Sequence, residues 1–152
     1  MALPYVTSYR ELIVYQKAQA LALAIFRISR QFPREETYAL TDQMRRSSRS
    51  VGANIAESWA KRGYEKHFVS KLTDADGEQF ETQHWLETAR DCGYLTPQQA
   101  TGLLNQCEEV GRLLGRMIAQ AETFCRPNVT REPSPEYFTT DPDASDPLTS
   151  IQ

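Results

Sequence analysis

Arg45, Arg46 and Arg49 stand within little more than one turn of any helix they occupy, and Lys61, Arg62 and Lys66 follow further along. A guanidinium presents a planar fork of donors that fits two phosphate oxygens at once, and a lysine adds a compact point charge. The chemistry these six residues offer is retention of a polyanion, whose affinity grows with the number of cations presented as counterions are released. They are therefore candidate nucleic-acid-binding residues. The stretch around them, residues 43–63, reads QMRRSSRSVGANIAESWAKRG and gives its second half to Gly, Ala, Asn and Ser where a core helix would use Leu. At 100° per residue, Arg45, Arg49, Gly52, Ala56 and Ala60 share one line, and Arg46, Ser50, Ala53, Glu57 and Lys61 the next. Small residues on such a line admit a close neighbour. Two readings stay open: packing within the chain beside a solvated arginine face helped by Asp42, or a subunit contact that gathers arginines from several copies. Asn54 flanks the core stripe, where a half-buried amide must find partners. A hydrogen bond to a neighbouring helix is expected, with Glu57 sharing that network.

Other constellations point to no reaction. Glu81-Thr82-Gln83-His84 has the Glu-x-x-His spacing of di-iron bundles, but such a site needs a second copy of the motif and two further inward glutamates, and His67 lacks a Glu three residues before it. Asp74, Asp76 and Glu78 would diverge by about 100° per residue on a helix. Gly111 to Gly115 has small-xxx-small spacing, which in a bundle marks close helix packing. No Gly-rich phosphate loop, nucleophile elbow or Cys/His pairing occurs. The expectation is no enzyme, no metal and no cofactor.

Composition bounds the rest. A chain of 152 residues with 40% hydrophobic and 24% charged content suits one soluble domain. The most apolar run, Ala18 to Phe26, is bracketed by Lys17 and Arg27 and is far shorter than the ~20 residues of a membrane span. No basic-then-apolar leader opens the sequence, so a cytoplasmic protein is expected. Cys92, Cys107 and Cys125, odd in number and widely spaced, read as buried free thiols. The net charge of -3 is unevenly spread: residues 1–70 hold eleven Lys/Arg against six Asp/Glu, and residues 71–125 hold four against nine. That asymmetry would let the acidic half of one copy meet the basic half of another.

Four helices must position these groups. Ser8-Tyr9-Arg10-Glu11 matches a capping box and predicts a helix from Tyr9 to Pro33, with Val14, Ala18, Leu21, Ile25, Ile28 and Phe32 facing in. Leu12, Tyr15, Ala22, Leu23 and Phe26 widen that stripe and imply a second buried face. A second helix is predicted from Thr37 or Thr41 to Lys61 or Arg62, ended by Gly63, with Leu40, Met44, Ser48, Val51, Ile55 and Trp59 inward. A third runs from Tyr64 to Cys92-Gly93 on Phe68, Leu72, Ala75, Thr82, Leu86 and Ala89. Thr96-Pro97-Gln98-Gln99 starts the fourth, carrying Leu103, Cys107, Val110, Leu114, Met117, Ala121 and Phe124. Short connections favour antiparallel neighbours, so an all-α, up-down-up-down antiparallel four-helix bundle over residues 1–125 is predicted. Residues 126–152, with five prolines and five acidic residues, are predicted to be a disordered acidic tail. Such a tail either needs no role or, holding Tyr137 and Phe138, shields the basic surface or docks a partner.

QMRRSSRSVGANIAES, preceded by YRELIVYQKA and FPREETYALTDQ and followed by DADGEQFETQHWLETARDCGYL, resembles the four-helix-bundle proteins encoded in intervening sequences of bacterial 23S ribosomal RNA genes. Their superfamily includes the accessory variability protein of diversity-generating retroelements. The resemblance covers about residues 9–125 and implies a small bundle assembling as a homopentamer, without known catalytic activity. In the retroelement relatives it further implies a basic pentamer surface that binds nucleic acid and the reverse transcriptase. By position, Arg45, Arg46, Asn54 and Glu57 match the signature, and Arg49, Lys61, Arg62 and Lys66 are additional basic groups here. The function expected is a non-enzymatic homo-oligomeric scaffold that binds RNA or DNA, a nucleic-acid enzyme such as a reverse transcriptase, or both, through helix 2. The alternative is a protein-binding adaptor that does not bind nucleic acid.

Overall fold

A computed structural model describes residues 6–125, and all of its regular structure is helical. The helices are α1 (Ile13–Ser29), α2 (Leu40–Ala60), α3 (Glu65–Asp91) and α4 (Pro97–Ala119), followed by a single turn at Ala121–Phe124. Each helix packs on its neighbour in sequence and α1 closes against α4, while the backbones of the diagonal pairs stay further apart. The pairings across each seam give the direction. Arg46 meets Glu78 and Glu81 while Glu57 meets Lys71, so α3 descends as α2 rises. Arg45 meets Ser29 and Gly52 meets Gln19, so α1 and α2 are antiparallel too. The predicted tail lies outside the described residues. Among the described residues no helix is long and apolar enough to cross a membrane.

Local chemistry explains the ends, including those misplaced from sequence. Thr96 accepts from the Gln99 amide at 3.1 Å and Gln99 returns a bond to the Thr96 amide at 3.0 Å, the expected capping box with Pro97 at the first helical position. Ser8 instead starts only a three-residue 3-10 turn, and Glu11 reaches the amide and hydroxyl of Thr7 rather than the amide of Ser8. Leu12 is extended at ψ 128, so α1 begins at Ile13, and it ends at Ser29, short of Pro33. Gly93 takes the left-handed conformation at φ +79 that stops α3. Gly63 does not. Arg62 Nε donates to the Trp59 carbonyl at 2.9 Å and satisfies part of the α2 terminus, so the chain turns into α3 without a positive φ. The fourth helix breaks at Gln120, and the bend brings Phe124 to stack on Phe68 at 6.0 Å.

Two apolar clusters fill the bundle. One gathers Val14, Val51, Ile55, Phe68, Leu72, Val110 and Leu114, the other Leu21, Ile25, Met44, Leu86, Ala89, Leu103 and Cys107. Buried Ser47, Ser48, Gln79 and Thr82 add polar groups to this interior. These polar groups are satisfied locally. Ser47, Ser48, Ser50, Asn54 and Ser58 each donate to a carbonyl three or four residues back in α2. Small side chains that bond their own helix leave no donor orphaned and let α1 and α3 approach closely, which accounts for the composition of this segment. Gln79 Nε2 donates to Asp76 at 3.0 Å and its Oε1 accepts from Gln83 at 2.7 Å. Gly111 on α4 makes room for it, since a Cβ there would come within 2.9 Å of Gln79 Nε2. Gly115 has nothing within 4 Å.

Candidate nucleic-acid interface

The α2 arginines point two ways. Arg45 Nε donates to Ser29 Oγ at 2.8 Å and its guanidinium lies 4.9 Å from the Phe26 ring centre; Arg49 lies 5.7 Å from the same ring. Cation–π attraction to one aromatic face thus holds both forks on the α1 side of the bundle. Neither pairs with a carboxylate among the described residues. Further along the same line, Gly52 is buried, and a Cβ there would meet Gln19 Oε1 at 3.0 Å and Tyr15 at 3.7 Å. Through Gly52, then, the line of small residues receives α1 of its own chain. Ala56 is half-buried and Ala60 exposed.

Arg46 faces the opposite seam. It forms ion pairs with Glu78, at 3.4 Å, and Glu81 on α3, and Trp85 Nε1 donates to Glu81 at 3.3 Å. The hydrogen bond to Glu81 pushes Arg46 further up. Burial raises Glu78 above the usual carboxylate range; burial acts on Glu81 too, but the bonds from Arg46, Glu78 and Trp85 win and hold it below that range. Arg46 is thus a clamp between α2 and α3, while Arg45 and Arg49 lean on α1.

Lys61, Arg62 and Lys66 lie at the far end of α2, about 18 Å from Arg49 at 1.5 Å per residue. Lys61 and Lys66 are exposed. Arg62 stacks 3.6 Å over Trp59, and its burial pulls the guanidinium below its ordinary value. The six candidate cations therefore divide into a pair at Arg45 and Arg49, a clamp at Arg46, and a separate group at the α2–α3 turn. The signature residues also differ from expectation. Asn54 Nδ2 donates to the Ser50 carbonyl at 2.9 Å within its own helix, since an i−4 carbonyl is always within reach of a short polar side chain on a helix. Glu57 pairs with Lys71 at 2.8 Å instead of joining Asn54, and that bond lowers Glu57 and raises Lys71. With Lys17 to Glu109 at 3.0 Å, these pairs join the basic and acidic halves within one chain.

The structure adds residues that the sequence did not single out. An open groove of about 590 Å³ beside the start of α2 is lined by Thr37, Tyr38, Thr41 and Asp42 together with Arg45, Arg46 and Arg49. Tyr38 is 93% exposed. Thr41 is only 6% exposed, and its hydroxyl is a buried side-chain polar atom with no hydrogen-bond partner among the described residues. Ala39 occupies the cap position of α2 and supplies no side-chain cap. The Leu40 amide is taken by Glu36 at 3.2 Å, which also accepts from Tyr94 at 3.2 Å. An aromatic before a helix start is unremarkable in a one-dimensional reading; only its place in the same groove as the arginines gives it meaning.

Among the described residues no group of three or more His, Cys, Asp or Glu side chains is placed to hold a metal ion. Glu81 belongs to the Arg46 clamp, and His84 stands against Trp85 at 4.7 Å. Asp74, Asp76 and Glu78 turn to Lys71, Gln79 and Arg46 respectively. Of the thiols expected to be buried, Cys107 and Cys125 are; Cys92 is exposed, because it caps α3 at the turn into Gly93.

Residues 10–116 match the family model for the 23S rRNA-intervening sequence protein. The chain is also similar to a crystal structure, at 1.70 Å, of a protein of unknown function from the S23 ribosomal protein family of Bacteroides thetaiotaomicron. That similarity is 30% in sequence, with a TM-score of 0.64, and covers 70% of this chain and 98% of that one. No curated protein matches the chain.

Proposed function

This chain belongs to the 23S rRNA-intervening sequence protein family, and from that premise we propose that it is a non-enzymatic, cytoplasmic scaffold that binds nucleic acid through the α2 groove. The observation that carries this reading is the pair Arg45 and Arg49, held on one face by Phe26 and free of carboxylates among the described residues. One chain presents few such cations, and binding through counterion release scales with their number. A homo-oligomer repeats the pair. Ile13 and Leu23 on α1, 62% and 47% exposed, supply apolar surface for that association, and the resemblance to retroelement accessory proteins makes a pentamer the assembly of choice. The same resemblance extends the proposal to a nucleic-acid enzyme, such as a reverse transcriptase, as a second partner.

A protein-binding adaptor is the competing reading, favoured by Phe80 and Tyr64, which stand 60% and 71% exposed on and beside α3. Salt separates the two. Anisotropy of a labelled RNA or DNA oligomer, titrated at low and at physiological salt, should show binding that weakens steeply as salt rises. Arg45→Ala/Arg49→Ala, confirmed by light scattering to keep its assembly, should lose it. Unchanged binding in that variant refutes the assignment, and no binding by the parent chain at low salt leaves the adaptor.

A further inference from the structure

Resting on the reading above, we propose that the groove at the start of α2 is a subsite for single-stranded nucleic acid, in which a phosphodiester lies against Arg45 and Arg49 and an adjoining base stacks on Tyr38. Two observations converge there. Arg45 uses only Nε, on Ser29, and both guanidinium groups lie against Phe26, so terminal donors of both forks remain for an anion. The Tyr38 ring lines the same groove and is 93% exposed, presenting its faces to solvent beside those cations.

The combination of cation and free aromatic face selects an unpaired strand. A duplex hides its base faces inside the stack, so it offers the groove phosphates alone; a single strand offers both, and base–aromatic stacking is tolerant of sequence because every base has a π-face. Asp42 lines the groove as well and works against any anion, so Asp42→Asn should tighten binding.

The test compares three labelled probes of equal length on the full chain: a pyrimidine single strand, the same phosphodiester backbone without bases, and a hairpin duplex. The parent protein should prefer the base-bearing strand over the abasic one by about tenfold, as one stacked base supplies. Tyr38→Ala should lower the base-bearing strand to the abasic affinity and leave the abasic strand unchanged, while Tyr38→Phe keeps the preference. If Tyr38→Ala leaves the preference intact, or alters the mass seen by light scattering, the stacking subsite is overturned. If Arg45→Ala/Arg49→Ala still abolishes binding in that case, the groove binds backbone alone and the functional reading stands. If that pair of substitutions changes nothing, both fall.

Discussion

Thr82 Oγ1 on α3 lies 2.9 Å from Ser47 Oγ on α2 and 2.8 Å from the Glu78 carbonyl, with Thr82 and Ser47 both fully buried. The contact joins the two helices that share the most extensive seam of the bundle. Each hydroxyl also reaches a carbonyl of its own helix, so removing one costs the other its contact across the seam, whereas removing both leaves a matched apolar surface. Thr82→Val should therefore cost about 1–2 kcal/mol. Adding Ser47→Ala should cost less in that background than alone, by roughly 0.5–2 kcal/mol of coupling. Urea unfolding of the double-mutant cycle measures this, and strict additivity would show the two hydroxyls to be independent.

How the sequence foretold this seam is instructive. Met44, Val51 and Ile55 were legible from periodicity, because a stripe recurring every three or four residues needs no knowledge of the partner. Thr96, Pro97 and Gln99 were legible for the same reason, their bonds being local. Arg46 was not. Its fate depends on Glu78 and Glu81 lying across from it, a register set by packing of residues more than thirty positions away. Gly63 and Gly93 look alike in sequence, each following a helix, and differ because Arg62 takes the Trp59 carbonyl at one end while nothing comparable serves the other. Tyr38 acquires a candidate role only once α2 brings Arg45 and Arg49 beside it.

The clamp predicts a pH dependence whose sign can be worked out. Glu81 is held below its ordinary value of 4.5, so the stability it contributes is present above that value and is lost as pH falls through the lowered one. Glu78 is held above 4.5 by burial, so its contribution has the opposite sign, present at low pH and lost as pH rises through the raised value. Deleting the guanidinium leaves two adjacent carboxylates that repel when ionised. Arg46→Ala should therefore cost about 1 kcal/mol at pH 7, a modest figure because these side chains are partly solvated, and less at pH 3, where more of both carboxylates is protonated. Denaturant unfolding at the two values checks this. An equal loss at both would mean that Arg46 acts by packing. Nucleic-acid affinity in the same variant should change far less than in Arg45→Ala/Arg49→Ala.

Two glycines on α4 give opposite expectations from the same substitution. Alanine favours a helix interior over glycine by up to about 1 kcal/mol, so Gly115→Ala, with open space around the new Cβ, should stabilise the chain by about that amount. At Gly111 the Cβ would sit 2.9 Å from Gln79 Nε2, and Gln79 is 2% exposed with both ends of its amide bonded. The side chain cannot retreat without breaking one of those bonds. Gly111→Ala should cost about 1–3 kcal/mol of overpacking, enough to outweigh the helical gain. Thermal melts of the two variants should move in opposite directions, and a Gly111→Ala melt that rises like that of Gly115→Ala would show the Gln79 site to be yielding.

The thiols should separate by reactivity. Thiolate is the nucleophile, so a thiol reacts in proportion to its exposure and to the fraction ionised. Cys107 is buried in the second apolar cluster, and burial pushes it up to about 12. Cys125 is buried and raised for the same reason, while Cys92 is exposed at the end of α3. Iodoacetamide at pH 8, followed by peptide mass spectrometry, should modify Cys92 first and Cys107 last. Cys107 should become labelled only as the bundle opens, so its rate should rise along the urea unfolding curve. Labelling of Cys107 in native buffer at the rate of Cys92 would mean that the α4 stripe breathes far more than its packing implies.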